Sequence, residues 1–187
     1  MEPATYLGLL FALPFGVLWV GCVVFLRLKE GKSFLYLALF TVFSIYLFKV
    51  LDYTLFQVQS LLLLRFFVPG LILRGQEEGT SVNLIPLVTL ARGDLKTSLL
   101  NILLLVPFGF GLPFLVKVHA KQVVAAGALL SAAIELVQLL TGHLAHMTFR
   151  IADVNDVIFN AAGAAIGYGA FALFARWWWP WQRSRRE

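Results

Sequence analysis

The chain has 187 residues, of which 60% are hydrophobic and 13% are charged, and its formal net charge is +5. Soluble globular proteins carry about 45–50% apolar and about 25% charged residues, so this composition excludes a soluble domain and intrinsic disorder. A chain of this length and hydrophobicity is expected to form a few membrane-spanning helices joined by short loops. Its single cysteine, Cys22, lies in an apolar run, so no disulfide framework is expected.

Apolar windows of about 20 residues, long enough to cross about 30 Å of hydrocarbon, predict an all-α fold: a polytopic membrane helix bundle with about five transmembrane helices. A stretch at about 60–73 is too short to cross and contains Arg65 and Pro69, which predicts a re-entrant or interfacial segment. The first span lacks a preceding basic region and is expected to be a retained helix. The predicted spans are, approximately, 4–26, 34–56, 97–116, 122–141 and 154–175.

Basic residues in the connecting segments predict the orientation. With five spans the loops alternate sides, and nine basic residues fall on one side against five on the other. Because cytoplasmic loops carry the excess of Lys and Arg, the N-terminus is predicted outside and the C-terminus in the cytoplasm. The tail at 176–187 is rich in Trp and Arg, which suits the headgroup level of the inner leaflet and requires no nucleic-acid partner.

The fourth span carries a polar face. An ionisable side chain costs at least about 2.5 kcal/mol at the centre of a membrane helix, so its presence needs a physical reason. Ser131, Glu135 and Gln138 are spaced by four and three residues, which places them on one helical face. Glu135 is interpreted either as a paired carboxyl that joins helices or as a general acid/base or cation ligand.

The fifth span carries a second polar face. Asp153, Asp156, Asn160, Gly163 and Gly167 recur at steps of three and four residues, which forms one stripe along the helix. The two glycines make a small-xxx-small surface that another helix can approach closely. Asp153 is equally explained as an N-cap, whereas Asp156 lies a turn further in, above Asn160. The stripe predicts a deeply packed helix whose polar end lines a cavity.

Two prolines and two glycines fall within residues 107–113 of the third span, which also contains Asn101. This composition predicts a broken helix beside a polar cavity, with a packing kink as the alternative. Asn83 and Pro86 predict a turn that returns to the membrane surface on the outer side. Lys49 and Asp52, three residues apart on the second span, predict an internal ion pair.

These polar residues are predicted to converge on one outer site. His143 and His146 are interpreted as loop residues, because neither an HExxH motif nor a His/Cys ligand spacing is present, and no metal or cofactor is predicted. The candidate site would combine three acids, one arginine and several amides. Its predicted members are Asn83, Asn101, Glu135, Gln138, Arg150, Asp153, Asp156 and Asn160.

Four short segments, in this order along the chain, resemble the VanZ-like membrane proteins: 83–86, Asn101 leading to 107–111, 131–138, and 150–163. The family usually has two adjacent acids where this chain has Asn155 and Asp156. The resemblance implies an envelope protein, and its founder is associated with resistance to the lipoglycopeptide teicoplanin. It covers a VanZ-like core at 80–170 of the single membrane domain, 1–187. Outside this core lie the two additional N-terminal helices at 1–57 and the cytoplasmic tail at 176–187.

Three functions follow as hypotheses. The first is an outward-facing site that binds or modifies a lipid or lipid-linked envelope substrate, with a glycopeptide antibiotic as a further candidate partner. If this site is enzymatic, Glu135 would be the general acid or base, Asp156 would be the second carboxylate or position a cation, and Arg150 would engage an anionic group. The remaining five residues of the site would bind the substrate.

The second hypothesis is a non-catalytic scaffold or binding protein in which the polar stripe joins the helices. The third, the least supported by the placement of the charged residues, is a proton-coupled transporter or flippase, which needs a pathway to both faces of the membrane. The sequence alone leaves open whether the protein is an enzyme and whether it forms oligomers.

Overall fold

The computed structural model describes residues 3–56, 82–88, 93–145 and 151–184. A π-helical turn, Asp52–Phe56, extends the second helix, and two short strands, β1 (Val82–Asn83) and β2 (Ala152–Asp153), pair in parallel. In this described part of the chain, five helices are long and apolar enough to cross a membrane, which confirms the predicted all-α fold with five spans. The helices are α1 (Pro3–Leu28), α2 (Phe34–Leu51), α3 (Leu95–Leu115), α4 (Ala120–Ala145) and α5 (Val154–Ser184).

The helix ends follow local sequence signals. The Ser33 hydroxyl accepts a hydrogen bond from the backbone N–H of Tyr36 at the start of α2, and the Asp94 carboxylate caps α3 in the same way. The π-helical turn carries the second span to Phe56, its predicted end. The predicted segment at 60–73 lies outside the described residues.

The predicted break in the third span is wrong, because α3 runs without interruption through Pro107 and Pro113. Membrane helices tolerate proline where neighbouring groups satisfy the freed backbone carbonyls. One of the two glycines in this stretch serves packing: a side chain on Gly109 would overlap the carbonyl oxygen of Ala164 on α5. The sequence of residues 107–113 therefore allows a second helix to approach α3 closely.

The chain divides into two compact units. The first unit comprises Met1–Leu84 and Ala132–Val154, and the second comprises Ile85–Ser131 and Asn155–Glu187. In the first unit, Phe15 of α1 packs against Phe48 of α2 with ring centroids 4.6 Å apart. The predicted ion pair is confirmed here, since Lys49 Nζ lies 3.0 Å from Asp52 Oδ2.

The second unit is built on close contact between α3 and α5. Side chains on Gly163 and Gly167 would overlap the carbonyl oxygens of Ile102 and Val106, which confirms the predicted small-xxx-small surface. Beyond these glycines, Phe114 packs edge-on against Phe171 with ring centroids 5.0 Å apart. Close packing against α3 therefore fixes the position of α5 within the second unit. The buried apolar side chains of this unit are Leu105, Phe108, Val123, Phe159 and Ala164.

Candidate functional site

The first unit contains a group of polar residues, Asn83, Glu135 and Asp153, here called the acidic cluster. The parallel strand pair sets Asn83 opposite Asp153, and Asn83 Nδ2 donates to Asp153 Oδ2 over 3.0 Å. The backbone N–H of Asp153 donates to Glu135 Oε2, also over 3.0 Å. All three residues are half-buried. The structure thus brings together three predicted site residues, two of them acids.

Gln138 lies one turn after Glu135 on α4 and contacts a different element. Its Nε2 donates to the carbonyl oxygen of Thr54 over 2.8 Å, while the buried Thr54 hydroxyl donates to Val50 O over 2.7 Å. A π-helical turn disturbs the regular ladder of backbone hydrogen bonds and is frequent at functional sites. Gln138 therefore fastens α4 to the π-helical turn, and its predicted role in binding substrate stays a prediction.

The second unit contains four polar residues at one face of α5, here called the polar column. Asp156 and Asn160 belong to α5 itself, Asn101 to α3 and Ser131 to α4. Asn101 Nδ2 donates to Asp156 Oδ1, and one turn further along α5, Asn160 Nδ2 donates to Ser131 Oγ over 2.8 Å. Asn160 is 4% exposed and Ser131 is 1% exposed, whereas Asp156 and Asn101 are half-buried. The column therefore becomes more deeply buried from Asp156 towards Asn160.

Apolar packing closes the inner end of the polar column. Ala164, the next residue on this face of α5 after Asn160, is fully buried, and Leu105 is 1% exposed. A side chain on Gly127 of α4 would lie 2.7 Å from the Ala164 side chain. Because no room remains there for a further side-chain atom, the column has one closed end and one half-buried end at Asp156.

Asn155 is a structural residue that the sequence interpretation missed. Its side chain is fully buried, its Nδ2 donates to Ile85 O over 3.0 Å, and its Oδ1 accepts a hydrogen bond from the backbone N–H of Leu87. Leu87 has a φ of 58°, a left-handed conformation that is unfavourable for a bulky residue. The signal in the sequence was the departure from paired acids: an amide both donates and accepts, whereas an ionised acid only accepts.

The predicted convergence of eight residues into one site stays a prediction. Within their own units the structure joins Asn83, Glu135 and Asp153, and it joins Asn101 to Asp156 and Asn160 to Ser131. Arg150 and His146 lie outside the described residues, and His143 is exposed. In the described ranges, no group of three or more His, Cys, Asp or Glu side chains is placed to hold a metal ion.

Helices of membrane-crossing length and polar side chains inside them define a multi-pass helical membrane protein. A model of the VanZ/LLP1 family matches residues 51–175, more than half of the chain, so the chain belongs to this family. The match contains the whole of the predicted core at 80–170 and leaves outside it α1 and all of α2 but Leu51. A search of curated proteins and a search of solved structures each found no match.

Proposed function

We propose that this VanZ-like membrane protein binds or modifies a lipid or lipid-linked envelope substrate at the polar column, and that it contributes in this way to glycopeptide tolerance. The observation that carries the proposal is the burial along the column, which increases from half-buried Asp156 to Asn160 and ends at the apolar residues Ala164 and Leu105. Polar side chains that are accessible at one end and packed against apolar residues at the other suit a bound group. By the distribution of basic residues, Asp156 belongs to the outer side of the membrane.

Asp156 is the proposed contact with the substrate. The Asn101 amide donates to Oδ1 of its carboxylate, which holds the carboxylate in one orientation. Such orientation before binding reduces the entropy lost when a ligand is fixed. In the acidic cluster of the first unit, Glu135 is proposed as a general acid or base, held by the backbone N–H of Asp153. Arg150 keeps its proposed role of engaging an anionic group.

A second candidate function, a non-catalytic scaffold, is favoured by the pairing of polar side chains between elements. Asn160 bonds Ser131 on α4, and Asp156 bonds Asn101 on α3, as expected if these contacts only join helices. A transporter receives less support, because the closed inner end offers no path through the second unit along this face of α5. A scaffold requires only an acceptor oxygen at position 156, whereas the substrate site requires the carboxylate of Asp156.

The distinguishing experiment uses Asp156→Asn and Glu135→Gln in a host from which the natural gene has been removed. Both amides keep an oxygen that accepts the observed hydrogen bond, so each variant removes the carboxylate and preserves the contact. Asp94→Asn is the matched control, because the same change is made at an exposed N-cap where Asn and Asp perform equally. The measurements are teicoplanin tolerance and the amount of folded protein in the membrane.

We expect Asp156→Asn and Glu135→Gln to lose the tolerance that the wild-type chain restores, at unchanged membrane abundance, while Asp94→Asn restores it fully. Tolerance that persists in both variants would favour the scaffold. A wild-type chain that restores no tolerance would remove the glycopeptide part of the proposal.

A further inference from the structure

The side-chain oxygen of Asn160 is a buried acceptor in the polar column. Asn160 is 4% exposed, and among the described residues no donor lies within hydrogen-bonding distance of its Oδ1. The other end of the same amide is occupied, because Nδ2 donates to Ser131 Oγ over 2.8 Å. Native proteins almost always give a buried acceptor a partner, since leaving it unpaired is costly. Oδ1 therefore points to a ligand that brings a donor.

Each amide group around the column donates a hydrogen bond to a protein acceptor. Asn101 Nδ2 donates to Asp156, and the neighbouring Asn155 donates through Nδ2 to Ile85 O. Asp156 lies four residues before Asn160, so both side chains fall on the same face of α5. The column thus combines the Oδ1 of Asn160, unpaired among the described residues, with the negative charge of Asp156, and this set suits a group that carries hydrogen-bond donors and positive charge.

We infer that the polar column receives the ammonium group of a lipid headgroup, with Asn160 Oδ1 as one of its acceptors. A primary ammonium has three N–H donors and one positive charge, whereas a phosphate is an acceptor and a quaternary ammonium has no N–H donor. Asn160 lies about 9 Å along α5 from Val154, at a rise of about 1.5 Å per residue. Ala164, one turn further along α5, is fully buried, so the bound group is expected to be short and terminal.

This inference rests on the proposed function and names its substrate class. It is tested with the full-length protein by native mass spectrometry after exposure to phosphatidylethanolamine or phosphatidylcholine of the same acyl chains. The two lipids differ only in the methyl groups that replace the N–H donors. We expect the wild-type protein to retain phosphatidylethanolamine about tenfold better, since a charged hydrogen bond of ordinary strength corresponds to about that ratio.

Two variants at Asn160 act in opposite directions. Asn160→Leu removes the acceptor and should abolish the preference, whereas Asn160→Asp adds a carboxylate and should increase it beyond the wild-type ratio. The second variant keeps the test valid if the first does not fold. Asp94→Asn, at the exposed start of α3, should leave the ratio unchanged.

Equal retention of the two lipids by the wild-type protein would overturn the inference and leave the proposed function standing. A preference that is the same in Asn160→Asp and in the wild type would overturn it too. If neither lipid is retained above the level of bulk lipid, the proposed function fails together with the inference.

Discussion

Gly16 and Gly21 of α1 and Gly163 and Gly167 of α5 have opposite surroundings. Among the described residues, no atom outside the adjoining turns of α1 lies within 4 Å of the position that a side chain on Gly16 or Gly21 would occupy. On α5, side chains at Gly163 and Gly167 would overlap backbone atoms of α3. Glycine is therefore unconstrained at these two positions of α1 and required at 163 and 167 of α5. Glycine at membrane depth marks a packed helix only where a partner backbone is close.

The side chains of the two helices differ in the same way as their glycines. In the described part of α1, large apolar side chains are exposed, with Val17 at 73% and Leu13 at 70%, as suits a helix in contact with lipid. The first turns of α5 instead hold buried amides and a half-buried carboxylate. The family match, 51–175, leaves out α1 and includes most of α5. Both the close packing and the candidate site thus lie within the part that the family model matches.

The largest expected effect tests the glycine comparison. Gly163→Ala should destabilise the protein by about 3 kcal/mol, because the added methyl group forces α3 and α5 apart. Gly16→Ala should be neutral or stabilise by up to about 1 kcal/mol, since alanine is the better helix former and meets open space. Thermal unfolding of the purified proteins in detergent measures both. Equal stability of the two variants would contradict the comparison.

Asn155 offers the next largest effect. Asn155→Ala should cost about 2–3 kcal/mol, because it leaves the Ile85 carbonyl and the Leu87 N–H without their partner. Asn155→Asp should cost at least as much, since it keeps the acceptor but sets a fully buried carboxylate oxygen against the Ile85 carbonyl. Limited proteolysis of the turn at 85–87, together with thermal unfolding, measures the effect. A turn that is equally protected in Asn155→Ala would show that other contacts hold it.

Substitutions of Glu135 test how much the hydrogen bond of the acidic cluster contributes to stability, an effect expected to be smaller than that at Asn155. Glu135→Ala should cost about 1–2 kcal/mol, because the backbone N–H of Asp153 loses its observed acceptor. Glu135→Gln keeps an acceptor and should leave the unfolding midpoint near that of the wild type. If the two variants unfold at the same temperature, the contact with Asp153 contributes nothing measurable.

The smallest effect is expected at the ion pair of Lys49 and Asp52, whose side chains are 69% and 31% exposed. Pairs of this kind contribute about 0–1 kcal/mol, so Asp52→Asn should lower stability by no more than that, and less at high salt. Thermal unfolding at low and high ionic strength measures it. A loss of stability as large as that of Asn155→Ala would mean that the exposure of a polar contact does not predict its contribution to stability in this protein.

Hydrophobic windows and helical spacing predicted the five spans and the polar face of α5, because both depend on local sequence. The predicted glycine contact of Gly163 and Gly167 is confirmed for the same reason: their spacing fixes a shared face. The partner of each side chain could not be predicted, since Asn155 bonds a turn at 85–87 that is distant in sequence. The unbroken α3 could not be predicted from its prolines, since their effect depends on whether neighbouring groups satisfy the freed backbone carbonyls.

The central claim is that Asp156 contributes a carboxylate to a substrate and does more than join helices. It is tested most directly by mass spectrometry of the lipids that copurify with the wild type and with Asp156→Asn, at equal folded yield. We expect a lipid of one headgroup class to be enriched with the wild type and lost from the variant. The same lipid profile in both proteins, with the same stability, would contradict the claim.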